Sequence, residues 1–425
     1  MTNVHVARSY EVFQRQTERD IPTAIPAGFD TSNEFLQDPY PTLELLRSNY
    51  GCFHNWKTNS WWITRYDDVT SVLADRLNFT SPMKSLVYHA QPEELKMALT
   101  FAANDAVQQN IEVIADDLAE EILARLDSSE EEIIRQYVHP YSIRLLALLI
   151  GIPQHALIQF DQDIRAMHDG AGWHPGRLDT GKAAFDRTVV LFTQLLLEPQ
   201  NPHFRGQPND LLSQIRERTP SHLVAKAATS LTILLLEVNF MSIEGSLANT
   251  LFLLLTHPSQ LELILEDETL AIRAWQESLR HSPPVLHSSL YTTREVERFG
   301  QLIPEGSLVV CSAAGANRDP LLFSHPNIFD VTRKDLAYRE PLGQFRIDGL
   351  ASAVVPCLIP LSQTGRYFNE NSISIYKFAS TAITVAIKAL LRRKKYIRLV
   401  NPTSHHLITN WPQGDRVCRE LLTRK

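Results

Sequence analysis

Few residues of this 425-residue chain stand at spacings that are typical of catalytic or metal sites. His405 and His406 are adjacent, but two neighbouring histidines make a poor metal site, so a surface turn is the favoured interpretation. The segment from His168 to His174 holds two histidines, an aspartate and a tryptophan, and an ordinary surface loop is favoured there over a ligand contact. No GxSxG, Walker A, GxGxxG, HExxH or EF-hand pattern is present. The widely spaced cysteines form no CxxC or zinc pattern, so neither a metal site nor a disulfide scaffold is predicted. They are Cys52, Cys311, Cys357 and Cys418.

The composition is that of an ordinary globular protein, with 44% hydrophobic and 21% charged residues. The net charge of −7 provides no basic field to hold nucleic acid. The polar N-terminus has no apolar signal-peptide segment, so a cytoplasmic location is expected. The apolar stretch 227–255 contains several polar residues, so no membrane span is predicted.

Apolar residues at helical spacing dominate the pattern and predict a mainly α-helical protein with small β-sheets. The pattern over 221–256 predicts one long central helix, and Ile303 to Cys311 predicts strand. Glycines and prolines over 165–180 predict a loop. Residues 1–35 are predicted as a loosely ordered leader, and 36–425 as a single domain.

Four segments stand in a characteristic order. Glu277 and Arg280 form an ExxR pattern followed by HSPP, and an IPEG turn at 303–306 precedes the ANRDP segment at 316–320. FDVTR follows at 329–333. ExxR alone recurs by chance, but with ANRDP at this distance it is specific. In this combination the chain resembles the bacterial cytochrome P450 superfamily.

The resemblance implies the triangular prism of the cytochrome P450 fold, with the helix at 221–256 as its long central helix. It also implies that Glu277 and Arg280 form a buried ion pair, which is costly to break. The family usually adds a third arginine just before the phenylalanine of FDVTR, and Ile328 holds that place.

The family binds its haem iron through one cysteine thiolate, in an FGxGxHxC loop before the last helix. Counting residues forward from FDVTR and backward from the last helix places the expected haem ligand at two different positions, which predicts an insertion at about 334–372. Neither position holds a cysteine. Cys357 lies in that insertion among apolar residues, and a small buried side chain is favoured over a displaced haem ligand. The sequence therefore predicts that haem is absent, with Cys357 as ligand only if haem is bound.

The positions that neutralise the haem propionates in the family are also changed. Glu93, Glu94 and Met97 stand where the family has a histidine and an arginine, and Leu290 stands where it has another arginine. Acidic and apolar neighbours disfavour buried carboxylates, which supports the same prediction.

The middle of the long helix, where the family binds and protonates dioxygen, also differs from the family pattern. Asn239 replaces a glycine and Met241 replaces the acid, whereas Ser242 remains as the alcohol. No monooxygenase activity is therefore predicted. Ser242 and His287 are the candidate catalytic residues. By the resemblance, the pocket is lined by Asn239, Phe240, Ser242, Ile243 and His287.

Three functions stay open. The favoured one is a haem-free pseudoenzyme of a small-molecule biosynthetic pathway that binds and activates another pathway enzyme, as haem-less relatives do for glycosyltransferases of macrolide pathways. The second is a cofactor-independent enzyme that binds a small apolar ligand in the vacated pocket and performs a cyclisation or isomerisation. The third is a haem monooxygenase with an atypical axial ligand.

Overall fold

The computed structural model describes residues 25, 28–75, 77–80, 111–126, 133–171, 178–198, 210–238, 241–337, 341–342, 375–393, 397–399 and 422–424. The chain divides into two compact units. The first consists of Met1–Pro82 and Leu286–Pro326, and the second of Met83–Val285 and Asn327–Lys425. The single domain from residue 36 onward stays a prediction.

The first unit is built around a mixed β-sheet with short helices. Its helices are α1 (Asn33–Gln37), α2 (Tyr40–Asn49), α3 (Tyr66–Ala74) and α13 (Ala313–Ala316). Its strands are β1 (Phe53–Asn55), β2 (Ser60–Ile63), β3 (Phe79–Thr80), β4 (His287–Thr292), β5 (Val296–Arg298), β6 (Gln301–Ile303) and β7 (Leu308–Ser312).

The five-stranded sheet has the order β1-β2-β7-β4-β3. Strands β2 and β7 are parallel, with Trp62 beside Val310, and the other pairs are antiparallel. Every residue of β2 and β7 is buried, which explains why these strands read as continuous apolar runs instead of alternating. Strands β5 and β6 form a separate hairpin.

Part of the predicted leader belongs to this unit. Residues Phe29–Thr31 form a short 3-10 helix and α1 follows directly. Phe29 and Phe35 are both buried, and both rings pack edge-on against Trp62. Aromatic packing thus anchors Phe29 and Phe35 in this unit, and the loosely ordered leader over 1–35 stays a prediction.

The second unit is mainly helical. Its helices are α4 (Ile111–Arg125), α5 (His139–Ile150), α6 (Leu157–Ala171), α7 (Leu178–Leu197), α8 (Leu211–Arg218), α9 (Val224–Val238), α10 (Met241–Thr256), α11 (Pro258–Glu266), α12 (Ala271–His281) and α14 (Ile375–Arg393). A π-helix over Ile134–Val138 leads into α5, and strands β8 (Ile397–Leu399) and β9 (Leu422–Arg424) pair antiparallel.

The core of this unit lies where α10, α12 and α14 pack against one another. Polar groups inside it are matched: the indole N–H of Trp275 donates to Ser246 Oγ at 3.0 Å. The hydroxyls of Tyr137 and Tyr141 donate to backbone carbonyls of α14, each at 2.7 Å. Such bonds remove the cost of burying these polar atoms and fix how the helices meet.

Two element boundaries differ from the sequence prediction. The predicted helix over 221–256 is described as a 3-10 turn at Ser221–Leu223, then α9 and α10, with residues 239 and 240 outside the described part. Helix α6 continues to Ala171 and α7 begins at Leu178, so the predicted loop at 165–180 is wrong over 165–171 and 178–180. Most of the predicted insertion at 334–372 also lies outside the described residues.

Candidate functional site

The ExxR pattern forms a buried ion pair on α12. Arg280 donates from Nε and Nη2 to the two carboxylate oxygens of Glu277, both at 2.7 Å. Both side chains are 0% exposed. This bidentate geometry satisfies the charges without water, which buried ion pairs require.

A third residue, Arg333, joins this ion pair. Arg333 Nε donates to Glu277 Oε1 at 3.2 Å, and its Nη1 donates to Asp335 at 2.9 Å. The Ile328 carbonyl accepts from Arg280 Nη2 at 3.0 Å and from Arg333 Nη2 at 3.2 Å. The chain therefore does have an arginine as the third member of this cluster, supplied by the last residue of FDVTR. It was missed because only the place of Ile328 was compared with the family.

His287, a predicted catalytic candidate, lies on β4 inside the first unit. Its Nδ1 is 3.1 Å from Ser312 Oγ, whose oxygen accepts the Gly315 N–H at 3.0 Å. The imidazole stacks on Phe35 and meets the edge of Trp62. Burial lowers the pKa of His287 to about 3, so the ring is neutral at physiological pH. Its surroundings are those of a packed core histidine.

The predicted pocket residues of the long helix are described only in part. Ile243 is buried on α10. Ser242 lies in the first turn of α10, and its side chain, with Asn239 and Phe240, is outside the described part. Of the five predicted pocket residues, only Ile243 and His287 have described side chains, so the roles of all five stay predictions.

A charged cluster missed by the sequence analysis links α5, α6 and α10. Arg165 donates to Glu244 at 2.7 Å and to Asp161 at 3.0 Å, and its Nη2 also contacts His139 Nδ1. His139 lies 3.2 Å from Glu244 and 3.1 Å from Asp161. Burial opposes charge on this histidine, but hydrogen bonds to Asp161 and Glu244 outweigh it and raise its pKa to about 9. His139 is therefore a cation at neutral pH, in a cluster of two positive and two negative groups.

The described cysteines do not fit the role of a haem ligand. Cys52 and Cys311 are both buried free thiols. Burial raises the pKa of Cys311 to about 12 and that of Cys52 further, so neither is a thiolate at neutral pH. A thiolate ligand would have to come from Cys357 or Cys418, which lie outside the described residues.

Of the positions compared for neutralising the propionates, the structure describes only that of Leu290. Leu290 is a buried residue of β4, so this place supplies an apolar side chain. Residues 93–97 lie outside the described part. Within the described ranges, no group of histidine, cysteine, aspartate and glutamate side chains is arranged to hold a metal ion. No helix in those ranges is both long and apolar enough to span a bilayer.

Comparisons with known proteins identify the fold. No model of a known protein family matches the chain. It is 28% identical to 6-deoxyerythronolide B hydroxylase of Saccharopolyspora erythraea, over 65% of this chain and 74% of the relative. It is 23% identical to the biotin biosynthesis cytochrome P450 of Bacillus subtilis, over 72% and 83%. The solved cytochrome P450 PksS of the B. subtilis bacillaene polyketide synthase superposes with a TM-score of 0.68 at 20% identity, covering 93% of this chain and 97% of that one.

The chain has the cytochrome P450 fold. The relatives also support its place in the cytochrome P450 superfamily. The predicted mainly helical P450 fold with small sheets is thereby confirmed. The prediction of a haem-free protein is contradicted, because the relatives and structural neighbours are cytochromes P450, which are haem proteins, and they point to haem as the cofactor. The alternative function, a cofactor-independent cyclase or isomerase, depended on a vacated haem pocket, so its premise no longer holds.

Proposed function

We propose that the chain is a P450-type oxidation catalyst that acts on a small molecule of a biosynthetic pathway. The observation that carries the proposal is the completed Glu277–Arg280–Arg333 cluster within a P450 fold. Removing one partner of a buried charged cluster is strongly destabilising, so its completeness supports an intact fold. The relatives named for biotin biosynthesis and for hydroxylation of 6-deoxyerythronolide B support the pathway setting and the reaction type.

The chain's own residues have limited parts in this proposal. Glu277 and Arg280 hold α12 to the segment around Ile328, and Arg333 closes that contact through the same carboxylate. Haem, when bound through a cysteine thiolate, supplies the activation of dioxygen. Because Cys52 and Cys311 are buried neutral thiols, the proposal assigns the ligand to Cys357 or Cys418.

The test is the absorption spectrum and iron content of the full chain expressed with ample haem precursor. Near-stoichiometric haem with a thiolate-type spectrum of the reduced carbon monoxide complex is the expected result. Cys311→Ser should leave that spectrum unchanged, and either Cys357→Ser or Cys418→Ser should abolish it. Folded protein that takes up no haem under these conditions overturns the proposal.

A second candidate function is binding and activation of another pathway enzyme. The observation that favours it is exposed apolar surface on α6 and α7, which pack antiparallel, since Phe160 meets Phe192 and Gly170 meets Gly181. At one end of this pair Ile158 is 75% exposed and Leu197 is 58% exposed. Large exposed apolar side chains near one another are typical of interaction surfaces.

The binding role is tested by assaying the enzymes encoded beside this chain with and without the purified protein. If the protein has this role, one of these enzymes gains activity when the protein is added. The double change Ile158→Asp and Leu197→Asp should remove that gain. Leu321→Asp changes a residue that is 86% exposed in the first unit, so it is the matched control and should have no effect. Unchanged activity of every neighbouring enzyme excludes this role.

A further inference from the structure

The outward side of α7 carries a regular row of five exposed residues. They follow one another at alternating intervals of four and three residues, so they lie on one face of the helix. These residues, which we call the α7 stripe, are Ala183, Arg187, Val190, Gln194 and Leu197. Val190 is 55% exposed and Leu197 is 58% exposed, so the stripe presents two large apolar side chains to solvent.

The opposite side of α7 is covered by its own chain. Phe192 and Leu195 are buried there, and α7 packs against α6 and α9. A surface helix normally turns charged and polar residues to its solvent side. In the α7 stripe, by contrast, apolar residues recur every seven positions, at Ala183, Val190 and Leu197. A heptad repeat of this kind is how one helix packs along another, so the stripe has the form of a seam for a second helix.

Opposite charges stand on one flank of the α7 stripe. Arg187 donates to the buried carboxylate of Asp163 at 2.6 Å, which holds its guanidinium on that flank. Glu198 is also exposed and follows eleven residues later, which at 3.6 residues per turn places it about 20° around the helix from Arg187. Two identical helices that pack antiparallel across a two-fold axis bring the same flank of each copy together. Arg187 of either copy then meets Glu198 of the other.

We propose that the α7 stripe binds a second copy of this chain, so that the two α7 helices pack antiparallel across a two-fold axis level with residue 192. Val190 of each copy then lies against Gln194 of the other, and Leu197 lies against the aliphatic stem of Arg187. The guanidinium keeps its own Asp163 and gains Glu198 of the other copy. The same residues thus serve both sides of the contact, as a two-fold interface requires. The contact involves no cofactor, so it goes beyond the proposed function and does not depend on it.

The expected dimer is weak and reversible. A contact confined to one helix of each copy buries less than the roughly 1,600 Å² of a standard protein interface. Each copy also carries a net charge of −7, and salt only partly screens the resulting repulsion. We therefore expect a dissociation constant in the micromolar range at about 0.15 M salt.

Sedimentation velocity of the full chain at about 1 to 500 μM measures this association. The weight-average mass should rise with concentration toward twice that of the monomer. Val190→Asp with Leu197→Asp should raise the dissociation constant at least about tenfold, because carboxylates replace both large apolar side chains in the contact. Leu321→Asp is the control, since this residue is 86% exposed in the first unit, and it should leave the association unchanged.

The charge pair is tested separately by Glu198→Arg, which puts two arginines together at each end of the contact. This change should raise the dissociation constant about fivefold. It also makes the chain less negative, so the general repulsion between copies falls, and a weaker dimer then reports the local contact. Glu217→Arg, at an exposed position on α8, changes the net charge equally and should not weaken the dimer.

A chain that stays monomeric at every concentration overturns the inference, and so does a dimer that is equally stable in Glu198→Arg and in the double variant. If the monomeric chain binds a neighbouring pathway enzyme and the double variant does not, the stripe serves that enzyme and not a second copy. Circular dichroism shows which variants are folded. Glu198 follows the last residue of α7, so Glu198→Arg gives a result even where the double variant does not fold.

Discussion

Arg280 and Arg333 share one oxygen atom, Oε1 of Glu277, at 2.7 and 3.2 Å. The same oxygen also accepts the backbone N–H of Asp330 at 3.1 Å. Three donors on one buried carboxylate oxygen fix α12 against the FDVTR segment. The carboxylate is thus fully satisfied only when the segment around residue 330 is folded onto the helix.

Replacing Arg333 should therefore destabilise the protein strongly. Arg333→Met leaves Glu277 with one buried counter-charge fewer, and we expect a loss of roughly 3–5 kcal/mol in the free energy of unfolding, measured by urea denaturation. Arg392→Met is the matched control, because Arg392 pairs with Asp116 on the surface and is 47% exposed. That change should cost less than about 1 kcal/mol. Similar losses for the two variants would contradict the buried cluster.

The charged cluster around His139 should make stability depend on alkaline pH. The pKa of His139 is about 9 in the folded protein, above its ordinary value in the unfolded chain, so folding favours the protonated ring. This contribution is fully present below about pH 6.5 and is lost as the pH rises through 9. It amounts to about 3–4 kcal/mol, because the pKa rises from about 6.5 to about 9 and one pKa unit corresponds to about 1.4 kcal/mol.

Urea unfolding at pH 6, 7.5 and 9 measures this dependence. The wild type should lose stability across this range, and His139→Gln should be less stable at pH 6 and show a flatter profile. Asp161→Asn removes one of the carboxylates that raise the pKa of His139, so its loss of stability should begin at lower pH. Parallel profiles for the wild type and His139→Gln contradict a raised pKa.

The crossing of α6 and α7 depends on two glycines. A Cβ atom on Gly181 would lie 2.7 Å from the Cα of Gly170 and 3.1 Å from the carbonyl of Ala166. Alanine in a helix interior normally adds about 0.5–1 kcal/mol over glycine. Here the two backbones would have to separate, so Gly181→Ala should lower stability by roughly 1–3 kcal/mol. The measurement is thermal unfolding of Gly181→Ala, with Gly51→Ala as the control, because a Cβ atom added at Gly51 would keep ordinary distances. An increase in the stability of Gly181→Ala would disprove the close crossing.

Gly170 also explains why a loop was predicted at the end of α6. Gly170 and Gly172 are helix breakers by propensity, and this propensity favoured a loop. In the structure Gly170 lies within α6, where the absence of a side chain allows α7 to approach. Tertiary packing thus decides a position that local propensity assigns wrongly.

The sequence predicted the fold better than the site. The fold follows from helical periodicity and from segments such as ANRDP, which are local and ordered along the chain. Arg333 was missed because its partner Glu277 is 56 residues away, although the FDVTR segment already contained it. The cofactor was predicted wrongly because the prediction depended on single positions on either side of the predicted insertion, where each position shifts with the alignment.

The half-buried His287 of the first unit should make the protein sensitive to acid. The pKa of His287 is about 3 in the folded protein because burial disfavours its charged form, and about 6.5 in the unfolded chain. The unfolded state therefore binds more protons between these values, so stability is full above about pH 6.5 and falls as the pH decreases. At pH 4.5 the loss from this residue is about 2–3 kcal/mol.

His287→Gln can retain a hydrogen bond to Ser312 without a titrating group, so its stability should fall less between pH 6.5 and 4.5. His222→Gln, at an exposed position, controls for the loss of a histidine as such. If His287→Gln loses as much stability in acid as the wild type, His287 is not the group that makes the fold acid-sensitive.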